Sequence, residues 1–550
     1  MTLNDSALGT DTASTVRPRA PFAGMSVLIR LGLRRDRIRL PAWTVTLAVL
    51  SVSIASSWDR LYPTAQSRLD LAHTLALDPA LTAILGPVFD PLSTGGLTAW
   101  RSVAGYLLVF GLVSSFVVVR HTRALEQEGQ SEIIAGGAVG RAALLGAGVT
   151  IGCIYGLVFG VIAASALTAM GVGLSGALAY SATIAFGAAV YCGVAALAAQ
   201  FARTSRGANG LSGLVLGITF VLSAYGNGEP SASALIWLSP FGWAEQTRAF
   251  ADERWWLLVL EIVVAGVLIA LAMRLAQRRD LGASLVSARA GRDRARAWMR
   301  GPIALAWRLD RSWLLGWVVG SAALGAVEGV LLASSVDTVQ NNPAMVKLIA
   351  RLGGSGILAD SFLVVMVGMF ALVASGYGIS TVLRLRSDET STRAEQLWSA
   401  PITRVHWASG HVSTAFVGAS ILSAIAGLAL GASYGVATGD LGGMAVRGLL
   451  AALVQLPATW VLIAIPSLLL GVRPAWMSAG WIVLAWCVLV GWFGAILGLP
   501  DWASSTSPFG HLPSWPGQQM RWLPEIILTL VAMVGVAVGA MALRRRDLPS

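Results

Sequence analysis

Charge is scarce in this chain: Asp, Glu, Lys and Arg make up only 12% of its 550 residues. That is about half the share that a soluble globular domain carries. Hydrophobic residues make up 55%, the mean hydropathy is +0.70, and the apolar residues form blocks of roughly 20, the length of helix that crosses the membrane hydrocarbon. A soluble protein of this size would expose too much apolar surface. The composition therefore predicts a polytopic all-α membrane protein.

Lysine is almost absent, since Lys347 is the one lysine among 39 basic residues. A P-loop needs a Gly-Lys-Ser/Thr sequence, so that the lysine can hold the terminal phosphates of the nucleotide. Lys347 lies instead between Val346 and Leu348, and the chain contains no Walker A motif. If ATP drives this protein, another polypeptide binds the ATP and its Mg²⁺, and this chain carries no cofactor of its own.

Cysteine and histidine are also rare, with three and five residues respectively. Cys153, Cys192 and Cys487 are far apart in apolar blocks, without metal-ligand spacing. They are typical of packing residues and imply no disulfide framework. The histidines form no HExxH or similar pair. We therefore predict no metal site and no catalytic residue in this chain.

The net charge of +11 reflects topology. If residues 1–40 are cytoplasmic and the spans alternate, thirty of the 39 basic residues lie on the inner side. This bias follows the positive-inside rule and predicts a multi-pass protein of the plasma membrane with both termini in the cytoplasm. The arginines lie at the ends of apolar blocks and form no contiguous face, so a nucleic-acid partner is not expected.

Twelve apolar segments are expected to cross the membrane, as two sets of six. They lie near 42–59, 101–119, 142–170, 176–202, 209–227, 255–275, 313–334, 359–383, 407–437, 448–471, 476–499 and 523–543. We expect a cytoplasmic N-terminal segment over 1–41 and a first transmembrane half over 42–277. A cytoplasmic linker follows over 278–312, and the second transmembrane half covers 313–550.

The two halves are a sequence repeat. A set of four charged residues recurs 263 positions later with identical spacing: Arg123, Glu126, Glu132 and Arg141 become Arg386, Glu389, Glu395 and Arg404. Ser239-Pro240-Phe241-Gly242 recurs as Ser507-Pro508-Phe509-Gly510, and Arg34-Arg35-Asp36-Arg37 resembles Arg308-Leu309-Asp310-Arg311. Each copy has an even number of spans, so the copies share one orientation. The sequence therefore predicts two parallel six-helix repeats with a cleft between the halves.

Acidic residues concentrate in two corresponding cytoplasmic loops. Five of the eleven glutamates lie there: Glu126, Glu128, Glu132, Glu389 and Glu395. The segments 126–135 and 389–399 are long enough for two or three helical turns each. A short charged helix along the inner membrane surface can dock into a groove of a cytoplasmic partner. The alternative is that these charges only solvate a loop and balance nearby arginines. Their repetition in both halves favours a partner contact.

The first loop, from Arg123 through Glu126, Glu128, Gly129 and Glu132, with a closing Arg141, resembles the intracellular loop of type-2 ABC exporter permeases. The resemblance implies a coupling helix that contacts a separate ATPase subunit, of which two copies would bind per chain and hold the ATP and Mg²⁺. It assigns the coupling role to Arg123, Glu126, Glu128, Glu132, Arg141, Arg386, Glu389, Glu395 and Arg404. The second loop departs from the pattern, because Ser391 stands where Glu128 would.

The whole chain resembles actinobacterial permeases of the tetronasin/polyketide-antibiotic exporter group. Members of the family have an amphipathic elbow helix before the first span. Residues 25–40 fit this helix, because Val27, Leu28 and Leu31 provide an apolar side and several arginines a basic one. Such a helix lies among the lipid headgroups. A second elbow is expected within 278–312.

Two glutamates, Glu261 and Glu328, are expected within or near spans. A carboxylate inside a membrane is a candidate for the substrate path or for proton coupling, unless each lies near the outer interface. The family resemblance implies an exporter permease for lipophilic antibiotic-like compounds or several drugs, acting in antibiotic resistance. The alternative is a proton-coupled secondary transporter of the six-plus-six type, which would use buried carboxylates. A membrane enzyme acting on lipids would need a polar cluster that the sequence does not contain.

Overall fold

The structure, a computed structural model, describes residues 20–76, 79–137, 139–278, 301–340, 355–390, 403–493 and 500–546. Within these ranges the regular elements are helices and there is no strand. Twelve helical segments are long and apolar enough to cross a membrane. Helices suit this environment because each satisfies its own backbone hydrogen bonds where no water is present. The prediction of an all-α polytopic membrane protein with about twelve spans is confirmed.

In chain order, spans 1 to 6 are Arg39–Leu61, Thr94–Gln127, Ala143–Ala169, Leu174–Phe201, Ser205–Gly228 and Trp256–Arg278. Spans 7 to 12 are Pro302–Ala333, Ala359–Glu389, Arg404–Thr438, Leu441–Val472, Pro474–Gly491 and Trp522–Arg545. All twelve overlap the predicted segments. Spans 2 and 7 begin well before the predicted positions, because helical hydrogen bonding continues through residues that the apolar pattern leaves out. Residues 279–300 of the predicted linker lie outside the described residues.

The chain divides into two compact units, Met1–Arg289 and Ala290–Ser550, hereafter unit 1 and unit 2. In each unit the second, third and fourth spans are the more buried ones. The last span of each unit carries exposed apolar side chains, among them Val259 and Val267 in span 6 and Leu530 and Val534 in span 12. Apolar residues exposed along a whole helix are expected where a helix faces lipid. The two units share this layering, as a repeat requires.

Aromatic side chains fill the core of unit 1 between spans 2, 3 and 4. The rings of Phe110 and Phe159 have centroids 4.5 Å apart, and Tyr106 meets Phe159 edge-on at 5.8 Å. The buried hydroxyl of Tyr180 lies 2.8 Å from the Ser102 hydroxyl. A buried tyrosine needs such a partner for its polar end. These contacts fix the three central helices, whose ends carry the candidate site.

Glycines bring helices into backbone contact in both units. The missing side chain of Gly156 in span 3 leaves room for the backbone of Ala185 in span 4. In unit 2, Gly431 in span 9 lies against the carbonyl of Met444, and Gly427 lies against that of Gly448. A side chain at Gly427 or Gly431 would overlap the neighbouring backbone. The glycine stripes therefore serve close helix packing.

The elbow helix differs between the units. In unit 1 it spans Met25–Arg35, and a short turn containing Asp36 separates it from span 1. Gly32 of this helix packs against Ile151 and His121. In unit 2, the single helix Pro302–Gln340 covers span 7 and the last part, 302–312, of the region in which a second elbow was expected. Each unit nevertheless has a buried carboxylate at the corresponding place in the repeat, namely Asp36 in unit 1 and Asp310 in unit 2.

Candidate functional site

The acidic loop of unit 1 continues directly from span 2. The α-helix ends at Val119, a single π-helical turn follows over Arg120–Ala124, and Leu125–Gln127 is α-helical again. Gly129 then breaks the helix with a φ of 73°, and a short helix covers Gln130–Gly136. We call residues 125–137 the first acidic segment. Single π turns are frequent at functional sites.

A buried arginine braces this segment. Arg123 is 2% exposed, and its Nε and Nη2 donate to the backbone carbonyl of Arg203 at 3.1 and 2.9 Å. That carbonyl lies just beyond the end of span 4. The Nη1 of Arg123 donates to Glu126 Oε2 at 2.5 Å. Hydrogen bonds to a charged group are worth about 1.5–3 kcal/mol each. Arg123 therefore fixes the start of the first acidic segment to the end of span 4, through its bonds to Glu126 and to the Arg203 carbonyl.

The remaining charged residues of the loop face outward. Glu128, Glu132 and Arg141 are exposed, and Ile133 is 81% exposed. Glu128 Oε2 accepts a hydrogen bond from Gln130 at 3.0 Å. The predicted coupling residues of unit 1 thus form two groups. Arg123 and Glu126 hold the segment in place, while Glu128, Glu132 and Arg141 are available for a contact, together with an isoleucine that the sequence analysis did not select.

Gln127 is a further positioning residue that the sequence analysis missed. Its Oε1 accepts hydrogen bonds from the backbone N and the Oγ of Ser205, both at 3.1 Å. Ser205 begins span 5, so the first acidic segment is tied to spans 4 and 5 together. In the sequence, the uncharged side chain of Gln127 is marked only by its position next to Glu126.

Unit 2 repeats the arginine brace. Arg386, the counterpart of Arg123, donates through Nη1 to the backbone carbonyl of Pro474. Pro474 follows the end of span 10, just as Arg203 follows the end of span 4. Span 10 is the fourth span of its unit. The sequence predicted the spacing of these arginines, and the structure gives both the same type of partner at the corresponding place.

The other charged residues of the second loop have different partners. Glu389 Oε1 accepts from Arg546 Nη2 at 2.6 Å, and Arg546 Nη1 donates to the Leu470 carbonyl at 2.6 Å. Arg404 donates to the backbone carbonyl of Arg546. The end of span 12 therefore holds the start of the second acidic loop. Glu395 lies outside the described residues.

The two candidate carboxylates within spans have different environments. Glu261 in span 6 is completely buried, and its Oε1 accepts from Thr183 Oγ1 at 2.8 Å. Its Oε2 has no hydrogen-bond partner within the described part of the chain. Glu328 in span 7 is partly exposed, and the neighbouring Gly329 packs against the Leu430 carbonyl of span 9. Glu261 is therefore the stronger candidate for a functional intramembrane carboxyl.

Two further buried carboxyls were not selected from the sequence. Glu525 lies in the first turn of span 12 and is 8% exposed. Glu245 lies in the short helix Pro240–Gln246, outside the spans, and accepts from Asn227 at 2.6 Å and from Ser223 at 3.4 Å. Burial raises the pKa of Glu245 to about 7, although both hydrogen bonds act to lower it. Its helix starts at the Ser-Pro-Phe-Gly motif, whose Ser239 caps it by accepting from the Phe241 amide at 3.1 Å.

In the described ranges, no group of three or more His, Cys, Asp or Glu side chains is placed to hold a metal ion. Cys153, Cys192 and Cys487 are free thiols.

In the part of the chain that the structure describes, twelve helices long and apolar enough to cross a membrane define a multi-pass membrane protein. Residues 299–544 match the family model described as "Multidrug efflux system permease Rv1217c, C-terminal domain". The chain is also 35% identical over 543 residues to the multidrug efflux system permease protein Rv1217c of Mycobacterium tuberculosis (strain ATCC 25618 / H37Rv), with 98% of each chain covered. The chain belongs to the family of multidrug efflux system permeases. The narrower resemblance to the tetronasin exporter group stays a prediction.

Proposed function

We propose that this chain is the membrane permease of an ABC exporter, which moves lipophilic drug-like compounds out of the cell with ATP hydrolysed on a separate subunit. The observation that carries the proposal is the repeated brace. In each unit an arginine at the end of the second span binds a backbone carbonyl just beyond the fourth span. A loop fixed to two core helices can pass a displacement to them, which a freely solvated loop cannot do.

The exposed side of the first acidic segment supports a contact with a protein partner. Glu132 and the 81% exposed Ile133 are neighbours on the short helix Gln130–Gly136. A partner groove with an apolar floor and basic groups at its rim would fit this pair. The chain has no Walker A motif, so the nucleotide belongs to that partner. Since the loop occurs once per half, we propose two ATPase copies per chain.

The orientation follows from the arginines. Both braced loops lie at span ends rich in arginine, and the positive-inside rule assigns these ends to the cytoplasm. We therefore propose that both termini are cytoplasmic and that the protein resides in the plasma membrane. An ATPase in the cytoplasm would meet the two acidic loops directly.

The substrate class is proposed from the family. The relative in Mycobacterium tuberculosis is named for multidrug efflux. We propose that this chain also exports several drugs, with lipophilic antibiotic-like compounds among them and antibiotic resistance as the consequence.

The proposal is tested by co-purifying the tagged permease with its candidate ATPase and measuring drug-stimulated ATP turnover in lipid nanodiscs. Glu132→Arg combined with Glu395→Arg is expected to lower stimulated turnover and ethidium export about 10-fold, the equivalent of ~1.4 kcal/mol of contact energy. The matched control is Glu253→Arg, which reverses a charge in the loop before span 6. The control should behave like the wild type.

Two results would contradict the proposal. One is export by the purified permease alone, without an ATPase. The other is accessibility of the first acidic segment to a membrane-impermeant label from outside the cell. Full coupling in the double mutant would remove the proposed role of Glu132 and Glu395 at the ATPase contact, although export would still be driven by ATP.

A proton-coupled secondary transporter is the second candidate, and the burial of Glu261 favours it. A buried carboxyl with one oxygen that lacks a hydrogen-bond partner among the described residues can take up and release a proton when the helices move. In that case Glu261→Gln would abolish export, and collapse of the proton gradient would stop it even with ATP present. Under the ABC proposal, export continues after the gradient is collapsed.

A further inference from the structure

A buried aspartate lies beside the base of the acidic segment in unit 1. Asp36, in the turn between the elbow helix and span 1, is completely buried. Arg120 Nη2 donates to its Oδ1, and His121 Nε2 lies 3.1 Å from its Oδ2. Both basic residues belong to the π turn that leads from span 2 into the acidic segment. Asp36 thus connects the elbow to the root of this segment.

The charge state of Asp36 is set by these partners. Burial alone would raise the pKa of its carboxyl, but the hydrogen bond to His121 and the charges of Arg120 and His121 outweigh burial and lower the pKa below its ordinary value. The group is therefore ionised. An ionised carboxylate without solvent contact depends on its partners, because losing one leaves an uncompensated buried charge.

Unit 2 contains the same arrangement. Asp310 is 1% exposed, Arg384 Nη1 donates to its Oδ1, and the Tyr377 hydroxyl donates to its Oδ2. The Arg384 guanidinium also lies over the Trp313 ring, 5.9 Å from its centroid. Asp310 belongs to the sequence Arg308-Leu309-Asp310-Arg311, which resembles the sequence around Asp36.

The register of the two arrangements is the same. In unit 1 the basic partner His121 stands two residues before the brace arginine Arg123. In unit 2 the basic partner Arg384 stands two residues before the brace arginine Arg386. Each second span therefore ends in two successive attachments, first to the elbow region and then to the end of the fourth span.

We propose that Asp36 and Asp310 are positioning residues for the first acidic segment and for the second acidic segment, 389–399. Asp36 fixes the base of its segment to the turn after the elbow helix, and Asp310 fixes the base of the second segment to the first part of the helix Pro302–Gln340, so that a push on either segment also moves the region before the first span of its unit. This inference rests on the proposed function, because it concerns how work enters the permease. It assigns a role to two carboxylates that touch neither the substrate nor the ATPase. We call each Asp and its basic partners an elbow latch.

The test compares Asp36→Asn and Asp310→Asn with matched controls. The controls are Asp59→Asn and Asp360→Asn, because Asp59 pairs with Arg68 at 2.6 Å and Asp360 with Arg447 at 2.7 Å at the opposite ends of the spans. Hydrogen–deuterium exchange is measured on the permease alone, over residues 125–137 and 385–404. Drug-stimulated ATP turnover and ethidium export are measured on the complex with the ATPase.

We expect each latch variant to speed exchange in the acidic segment of its own unit about 10-fold, in line with the loss of one hydrogen bond to a charged group. Exchange in spans 4 and 10 should not change. Export per ATP hydrolysed should fall, while the ATPase still co-purifies. If an Asn variant fails to fold, Arg120→Gln serves as the second variant, because it leaves His121 on Asp36 and should give a smaller increase in exchange.

Each other outcome has a defined meaning. Wild-type exchange and wild-type coupling in both Asn variants would overturn the positioning role. Faster exchange throughout a unit would overturn it as well, because the aspartate would then serve general stability. If the wild-type permease never exports in an ATP-dependent way, the proposed function fails, while the exchange data still decide whether the latches position the segments.

Discussion

The elbow latches of the two units hold the same place with different side chains. In unit 1, Asp36 has two basic partners, Arg120 and His121. In unit 2, Asp310 has one basic partner among the described residues, Arg384, and a tyrosine hydroxyl. The repeat therefore retains a buried carboxylate while the side chains around it differ. The first latch can lose one basic partner and keep the other, whereas no second basic partner of Asp310 lies in the described part of unit 2.

The largest loss of stability is expected when the elbow latch of unit 2 is broken. Arg384→Ala leaves Asp310 buried with only Tyr377, and removing the partner of a buried charge costs about 3–5 kcal/mol. His121→Ala leaves Arg120 on Asp36 and should cost about 1 kcal/mol, the net value of one hydrogen bond. Thermal unfolding of the purified variants measures both. Equal losses of stability in the two variants would show that the second basic partner of Asp36 does not reduce the cost of losing the first.

The next effect concerns the arginine braces. Arg123→Gln removes two hydrogen bonds to the Arg203 carbonyl and the pair with Glu126, so stimulated ATP turnover should fall about 10-fold or more, since bonds to charged groups carry ~1.5–3 kcal/mol each. Arg386→Gln loses the bond to the Pro474 carbonyl and should also reduce turnover. Arg→Lys variants at both positions provide the control for charge without the planar fork. Unchanged turnover in either Gln variant would show that its brace takes no part in coupling.

The third comparison concerns the two Ser-Pro-Phe-Gly regions, which should differ in how far each makes stability depend on pH. Glu245 stands five residues after Pro240, whereas Pro513 occupies the same distance from Pro508 in unit 2. Glu245 in the folded protein has a pKa of about 7, against an ordinary value of 4.5. The folded state binds the extra proton between these values, so stability is higher at pH 5 and falls as the pH rises towards 7.

We therefore expect the melting temperature of the wild type to fall by about 4–8 °C between pH 5 and pH 7.5, the shift expected for roughly 2 kcal/mol in a unit of this size. Glu245→Gln should remove much of this dependence. Pro513→Ala is the control in unit 2 and should leave the slope unchanged. An identical slope in Glu245→Gln and the wild type would rule out this carboxyl as its source.

The smallest effect is expected at Glu128. This residue is exposed, and the second loop has Ser391 where the repeat would place its counterpart. Glu128→Ser should change stability by less than about 0.5 kcal/mol, as is usual for surface positions, and should change stimulated turnover less than twofold. A loss as large as that of Glu132→Arg would make Glu128 part of the contact surface and sharpen the difference between the two loops.

The sequence was sufficient for the spans, because a membrane helix must be long and apolar. It also located the charged loops, since Arg123 and Arg386 fall in a repeated pattern. The sequence could not show which residues of these loops face the rest of the protein and which face outward. Arg123 and Glu126 were expected at a partner surface together with Glu132, yet they lie against the end of span 4. Which side of a short polar helix faces the protein depends on contacts with residues far away in the chain, such as Arg203.

The aspartates of the latches were hidden for a related reason. Asp36 stands among four arginines in the amphipathic N-terminal region, and the composition of that region indicates a surface lying on lipid headgroups. Only the packing of the elbow in the folded protein, with Gly32 against Ile151 and His121, reveals that Asp36 is buried while the rest of its turn is exposed. Glu245 and Glu525 were missed because neither belongs to a repeated motif.

The π turn Arg120–Ala124 has a consequence for chain length. An α-helix advances 100° per residue, and a π turn holds one residue more than an α turn. The extra residue is taken up within a single turn, so deleting one residue there would restore an α turn and leave the helix beyond it close to its present orientation. Unit 1 should therefore tolerate a single deletion within this turn more readily than one in the regular helix before it, where everything beyond would rotate by about 100°.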